Sequence, residues 1–461
     1  MRLRLPFLPT AALLLCGLAL APALPAAAPK PAVRPNLVFI MADDLGYGDL
    51  GCFGSALIRT PNLDRLAQQG TRFTHFYAGA PVCAPSRAVL LTGLHTGHAR
   101  IRGNSPEVGG ELESFDGGRE GGIRLSFTRN EYTLATHLRS AGYATGATGK
   151  WGVGEPGSEG TPEKHGFDEW YGYLNQNHAP YYYTDYLWRN DRREPIPENA
   201  GGRHAVYSND LMADFSIDFV RRHRDQPFFL YLAYTLPHAR FEVPDLGAYA
   251  AENWPEEAKI YAAMVTRLDG YVGRLMAELD RLGLADRTVI FFTSDNGPAK
   301  KPHGHLFNSA PGLRGIKGDV YEGGIRVPMI VRWPGRVPAG RTSTEPWMAM
   351  DVFPTLAELA GAPPRAGLDG RSVAAVLTDP AATLGERPLY WEAPLDRLYQ
   401  AVRLGRWKAV RGGLDQPLEL YDLAADPGEK VNVAGREKTV VADLERWLAG
   451  ARVPSPHWPA R

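Results

Sequence analysis

Cysteine is scarce in this chain of 461 residues: Cys16, Cys52 and Cys83 are all it has. So few thiols cannot staple a chain of this length, and a large hydrophobic core must hold it together. Net charge is lacking as well, with 51 Lys+Arg against 51 Asp+Glu. That balance argues against bulk electrostatic attraction to nucleic acid or to a membrane surface. Long apolar runs are missing: nothing beyond the N-terminal segment is long enough to span a bilayer. No internal repeat is visible.

The N-terminus reads as a targeting segment. Arg2 and Arg4 precede the apolar run Ala11–Ala21, and the small residues Ala26-Ala27-Ala28 follow. Charged, apolar, then small is the order of a secretory signal peptide, placed here at residues 1–28. A retained N-terminal anchor is the alternative, and the run is short for one. Export to a periplasmic or extracellular space is therefore expected, with no membrane span in the mature protein. In such an oxidising compartment, a Cys52–Cys83 disulfide is one reading of the two remaining thiols.

What is present is an alternation of helices and buried strands. Asn36–Ala42, "NLVFIMA", is continuously apolar, as a central strand would be. A helix is predicted over 61–70, with Thr60 as cap, Pro61 in the first turn and Gly70 at the end. Further helices are predicted over 131–142, 210–223, 255–282 and 351–360. Strands are predicted over 143–148, 227–234 and 288–293. This pattern implies an α/β fold, a large, mostly parallel sheet sandwiched by helices. Residues 103–129 and the Tyr-rich stretch 171–201 read as long irregular insertions. Beyond a boundary near residue 375 the pattern changes to short antiparallel strands and a last helix over 439–448. The expected domains are 29–375 and a smaller C-terminal unit, 376–461.

Ligands of open α/β sheets bind beyond the carboxyl ends of the strands. The first strand runs into Asp43-Asp44, and the strand at 288–293 runs into Asp295-Asn296. Brought together, these give three carboxylates and an amide oxygen, a donor set for Ca²⁺ or Mg²⁺ rather than zinc. Read singly, each pair is equally a set of turn or cap residues. Cys83 stands between Pro81 and Pro85, ahead of a predicted helix over 86–94. A helix N-terminus favours anions and lowers a thiol pKa. Three readings stay open on these grounds: a reactive thiolate, half of a disulfide, or a buried spectator.

Cys83-Ala84-Pro85-Ser86-Arg87, with Leu91-Thr92-Gly93 behind it, resembles the signature of type I sulfatases of the alkaline phosphatase superfamily. The blocks "ADDLGYGDL", "ATGKWG", "PHAR", "TSDNG" and "GIKGDVYEGGIRVP" resemble the family in the same order. The resemblance implies that a formylglycine-generating enzyme oxidises Cys83 to formylglycine, whose hydrate attacks sulfur. It implies Asp43, Asp44, Asp295, Asn296 and the modified Cys83 as metal ligands, with Ca²⁺ favoured over Mg²⁺. Arg87 would steady the formylglycine, Lys150 and Lys317 would bind sulfate oxygens, and His238 would act as acid on the leaving group. Cations so placed offset charge that spreads over the sulfuryl group.

One position departs from the family. Where many relatives have histidine after Lys-Trp, this chain has Gly152. A displaced histidine is expected to take over its proton, from among His98, His178, His303 and His305. The stretches 95–104 and 171–190 offer Arg100, Arg102, Asn104, Asn177 and His178 for a sulfated carbohydrate or an aryl sulfate. His178, Arg102 and Asn104 are the expected substrate contacts. Two other functions fit the same scaffold: a phosphate or phosphonate ester hydrolase, and a non-catalytic binder of sulfated glycans should Cys83 stay unmodified.

Overall fold

The apolar run Asn36–Ala42 forms a strand with every residue buried. In the computed structural model, which describes residues 34–104, 107–111, 122–299 and 304–459, this strand is central to an eleven-stranded sheet. Side chains alternate across it, as a period of two requires. Leu37, Phe39 and Met41 enter one core, while Val38, Ile40 and Ala42 enter the other. A continuous apolar run is therefore the signature of a strand covered on both faces.

Its neighbours fix the site. Thr288–Ser294 pairs with it in parallel on one side, with Ala42 opposite Ser294. Phe228–Ala233 pairs in parallel on the other, with Met41 opposite Ala233. Ala144–Lys150 pairs in parallel with Phe228–Ala233, with Gly149 opposite Ala233. Four parallel strands thus end side by side. Their ends deliver Asp43-Asp44, Asp295-Asn296, the segment leading to His238, and Lys150 to one edge. Gly149 is required there: its φ is 110°, and a Cβ would stand 1.9 Å from the Ala233 carbonyl oxygen.

Beyond Thr288–Ser294 the sheet turns antiparallel with Arg326–Arg332, then continues to Thr71–Tyr77 and the short Arg341–Ser343. The sheet is mixed and mostly parallel at its centre. Glu256–Arg281, Ser208–Arg222 and Pro61–Gln68 pack on one face, and Cys83–Thr92, Leu134–Ser140 and Val352–Leu359 on the other. Thr60 stands at the N-cap of Pro61–Gln68, but its hydroxyl accepts the Gly51 N–H at 2.8 Å instead of capping the helix.

The Tyr-rich stretch 171–201 is not the irregular insertion its composition suggests. Glu169–Tyr173 joins the sheet in parallel, and Tyr186–Arg189 and Arg192–Pro195 extend it as a hairpin. Asn190, at φ 52°, makes the two-residue turn. Arg192–Pro195 is exposed or half-buried throughout, so it carries no alternating apolar pattern to reveal it.

The C-terminal strands Leu389–Pro394, Leu398–Leu404, Trp407–Gly412 and Glu419–Asp422 form a separate antiparallel sheet. Helix Lys438–Ala449 covers one face through Leu444 and Leu448. The other face gives Trp391, Ala401, Val410 and Tyr421 to the main core. Residues 34–461 cluster as one compact unit. The expected signal segment 1–28 lies outside the described residues. Among those described, no helix is long and apolar enough to cross a membrane.

Candidate active site

Helix Cys83–Thr92 begins at Cys83 itself, behind an extended Val82, and all ten of its residues are buried. The Cys83 thiol donates to Asp43 Oδ1 at 3.3 Å. Asp43, Asp44, Cys83 and His238 present ligand atoms that all lie within 4.8 Å of one another. Asp44 turns the backbone at φ 65°, a left-handed conformation that Asp tolerates better than most residues. Its N–H donates to Asp295 Oδ1 at 3.2 Å, which locks the two strand ends together.

Three cations and a histidine surround these acids. Lys150 Nζ is 2.7 Å from Asp43 Oδ2, and Lys317 Nζ is 2.7 Å from Asp44 Oδ1. Arg87 Nη2 meets Asp295 Oδ2 at 2.7 Å and Asp43 Oδ2 at 3.5 Å, while its Nη1 donates to the Lys150 carbonyl at 2.6 Å. His238 Nε2 stands 3.6 Å from Asp44 Oδ2. The Lys317 loop is pinned to the Cys83 loop by Gly318 N–H to Pro81 O, 2.9 Å.

Burial sets the protonation. It pushes Asp43 up, but Lys150, His238, Arg87 and Lys317 more than offset it and hold that carboxyl below its usual range. Asp295 is raised to about 6 by burial and then by Asp43. Burial followed by the Asp43 charge pushes the Cys83 thiol up to about 12. The lowered thiol pKa expected at a helix N-terminus is thus corrected: desolvation and a carboxylate in contact outweigh the helix dipole. Cys83 and Cys52 are both free, so no disulfide joins them.

Asn296 adds a neutral oxygen to these acids. Its Nδ2 donates to Asp44 Oδ1 at 2.8 Å. Its Oδ1 is buried with no hydrogen-bond partner among the described residues. An orphaned amide oxygen beside three carboxylates is a donor set that fits a hard divalent cation.

Asn104, from the segment after the helix, accepts the Ala84 N–H at 3.0 Å, next to Cys83. His178 and Arg102 are not brought to the cluster. His178 is 1% exposed, bonded through Nε2 to Thr184 Oγ1 at 2.7 Å and packed between Tyr173 and Tyr186. Arg102 is buried in an ion pair with Glu392 at 3.0 Å and donates to the Val453 carbonyl. It ties the segment after the helix to the C-terminal sheet. Among the histidines expected to replace the one missing at Gly152, His98 is bonded to Asp369 at 2.9 Å. His303 lies outside the described residues, as does the side chain of His305. Gly152 has φ 74°, and a Cβ there would meet Gln176 first, at 3.4 Å. Gln176 Nε2 reaches Asn104 Oδ1 at 3.3 Å, so amides occupy the neighbourhood of Gly152. Sequence reasoning missed Gln176; its only signal was the departure at Gly152.

A buried helix end that begins at Cys83, paired acids at adjacent strand ends and three cations beside them fit an ester hydrolase of the alkaline phosphatase-like fold. The chain belongs to the sulfatase family: the Sulfatase family model matches residues 35–362, and the model for the N-sulphoglucosamine sulphohydrolase C-terminal region matches residues 317–453. It is 33% identical to arylsulfatase A of Homo sapiens over 462 residues, covering 87% of this chain and 83% of that one. It is 34% identical to N-acetylgalactosamine-6-sulfatase of Canis lupus familiaris over 415 residues, covering 83% and 72%. The solved structure of Ps i-CgsB in complex with k-i-k-neocarrahexaose superposes with a TM-score of 0.78 at 31% identity, covering 93% of this chain and 95% of that one. The protein is a sulfuric ester hydrolase.

Proposed function

We propose that this sulfatase cleaves the sulfate ester of a carbohydrate, using a formylglycine made from Cys83 and a divalent cation held by Asp43, Asp44, Asp295 and Asn296. The orphaned Asn296 Oδ1 among three carboxylates carries the cation assignment. When bound, the cation would supply Lewis-acid activation of the attacking hydroxyl and of the sulfate. Ca²⁺ is the ion the family likeness favours, and Mg²⁺ shares the donor chemistry.

The chain's own groups divide the remaining work. Lys150 holds positive charge against Asp43 and Lys317 against Asp44, where sulfate oxygens gain negative charge. Arg87, fully buried, holds Asp295 and the Lys150 carbonyl and so fixes the frame around residue 83. His238 is placed to protonate the departing alcohol oxygen. A plain thiol pushed up to about 12 is a poor nucleophile at neutral pH, which favours conversion of Cys83 before use. Every residue of the Cys83–Arg87 motif is buried, so a formylglycine-generating enzyme would have to act before the chain folds. Arg2, Arg4 and the apolar run after them support export.

The carbohydrate assignment draws on the sugar sulfatases among the relatives and on a neocarrahexaose in the similar solved structure. A phosphonate monoester hydrolase from Agrobacterium radiobacter is similar at 23% identity and a TM-score of 0.63, which speaks for the fold alone. The test is turnover of 4-nitrophenyl sulfate and of sulfated monosaccharides before and after chelation. Activity lost to chelator and restored by Ca²⁺ or Mg²⁺ supports the reading. Activity indifferent to chelator contradicts the cation, and absent turnover of every sulfated sugar contradicts the substrate class.

A further inference from the structure

Away from the acid–lysine cluster, two buried guanidiniums share a cavity at the seam between the main sheet and the C-terminal sheet. Arg403, in strand Leu398–Leu404, is 8% exposed, and Arg387, just before strand Leu389–Pro394, is 7% exposed. Both line a cavity of about 410 Å³. His75, from strand Thr71–Tyr77, and Leu389 share its wall. None of the lining residues belongs to the cluster around Cys83.

Neither guanidinium is fully satisfied. Arg387 gives Nη2 to Asp351, while its Nε is buried with no hydrogen-bond partner among the described residues. Arg403 donates through Nε to the Gly405 carbonyl at 3.1 Å and through Nη1 to Tyr77 Oη. Among the described residues its Nη2 has no partner, and no carboxylate pairs with it. Arginine stays charged at any working pH, so burying it without a counter-ion is costly. Donors left over on two guanidiniums of one cavity call for an acceptor that carries negative charge.

We propose that this cavity binds a sulfate-type oxyanion, either the free ion or the sulfate group of a glycan, at a site separate from catalysis. The site is independent of the carbohydrate reading of the catalytic cluster. Arginine forks match the paired oxygens of such an anion. The potential there is already positive: burial, then Arg326 and Arg403, lower the pKa of His75 from 6.5 to about 4, with Glu322 opposing. The acids of the cavity stand nearer to water. Glu386 is exposed, and Glu345 is half-buried with its Oε1 taken by the Leu384 N–H at 2.7 Å. Arg406, also exposed, is paired with Asp422. Water and salt screen these outer charges far more than the buried guanidiniums. The volume falls in the range of about 300–1,000 Å³ usual for small-ligand sites, which leaves room for a sugar ring that carries the sulfate.

Equilibrium dialysis of the whole enzyme with radiolabelled inorganic sulfate, in chloride buffer free of phosphate, tests the site. The wild type should bind one sulfate beyond that of the catalytic cluster. Arg403→Gln and Thr383→Glu should each weaken that second sulfate at least about tenfold, the worth of one charged contact. Thr383 is an exposed lining residue, so the substitution puts a negative charge into the cavity without touching the core. Competitive inhibition of 4-nitrophenyl sulfate turnover by sulfate reports the catalytic cluster and should be unchanged in both variants. Displacement of the second labelled sulfate by a sulfated disaccharide, measured on Cys83→Ala enzyme, separates the two sources. Displacement tighter than by unlabelled sulfate assigns the site to a glycan, and no gain over unlabelled sulfate assigns it to the free ion. A wild type that binds no second sulfate would overturn the site. So would a second sulfate held at full affinity by Thr383→Glu, whether or not Arg403→Gln folds.

Discussion

His238 Nε2 lies 3.6 Å from Asp44 Oδ2, at the open side of an otherwise closed cluster. On the proposed reading, an imidazole in that position serves the departing alcohol. Burial draws its pKa down, while Asp43 and Asp44 draw it up.

That placement makes the effect of His238→Ala depend on the leaving group. A sugar hydroxyl needs a proton to depart, and 4-nitrophenolate does not. Loss of kcat on a sulfated sugar should reach about 10²–10⁴-fold, the usual share of general acid catalysis. Loss on 4-nitrophenyl sulfate should be far smaller. Equal losses on both substrates would contradict the acid role and leave His238 a positioning residue.

Lys408 tests how the C-terminal sheet braces the site. It is fully buried, 3.0 Å from Glu322 Oε1 and 2.9 Å from Glu429 Oε1. Glu322 opens the short helix Glu322–Ile325, and Gly324 O accepts the Gly297 N–H next to Asn296. Lys408→Ala removes the lysine that two buried carboxylates share, leaving Glu322 with Arg326 at 3.6 Å and Glu429, among the described residues, with only the Glu322 N–H at 2.7 Å, and should cost about 3–5 kcal/mol of stability. Denaturant unfolding of the folded variant measures this directly. A loss within the error of the wild-type curve would contradict the bracing.

His95 and His178 are among the buried histidines that set an acid limit on stability. Burial lowers the pKa of His95 from its ordinary 6.5 to about 4, with Asp369 opposing. Burial lowers that of His178 from 6.5 to about 3. Between those values and 6.5 the unfolded chain binds more protons than the folded one. Stability therefore falls as pH drops below 6.5, by up to about 1.4 kcal/mol per pH unit for each ring. Thermal unfolding followed from pH 7.5 to 4.5 should show a falling Tm, and His178→Gln should shallow the slope. A slope identical in that variant would contradict the assignment.

The parts of this site written in local sequence were legible there. A strand of unbroken apolar residues ending in Asp43-Asp44, and another ending in Asp295-Asn296, announce their own partnership because parallel pairing brings like ends together. The four C-terminal strands were legible as short apolar runs following one another closely, and they pair antiparallel. Arg102 was not: its partner Glu392 is 290 residues away, and nothing near Arg102 distinguishes a buried brace from a substrate contact. His178 misled in the same way, since its burial depends on the hairpin Tyr186–Pro195 folding over it. The thiol of Cys83 shows the limit of dipole reasoning. A helix N-terminus can be read from Pro85 and the apolar residues after it, but the desolvation that dominates its pKa belongs to the assembled core.

On the formylglycine reading, Cys83 is not the working group as encoded. Mass analysis of the peptide containing Cys83 tests it, on protein made in its native host or beside a formylglycine-generating enzyme. A mass below that of the thiol form, with an aldehyde that reacts with hydrazide, is the predicted result. An unmodified thiol in active enzyme would contradict the account, and an unmodified thiol in inactive enzyme would turn the cluster into a binding site for sulfated glycans.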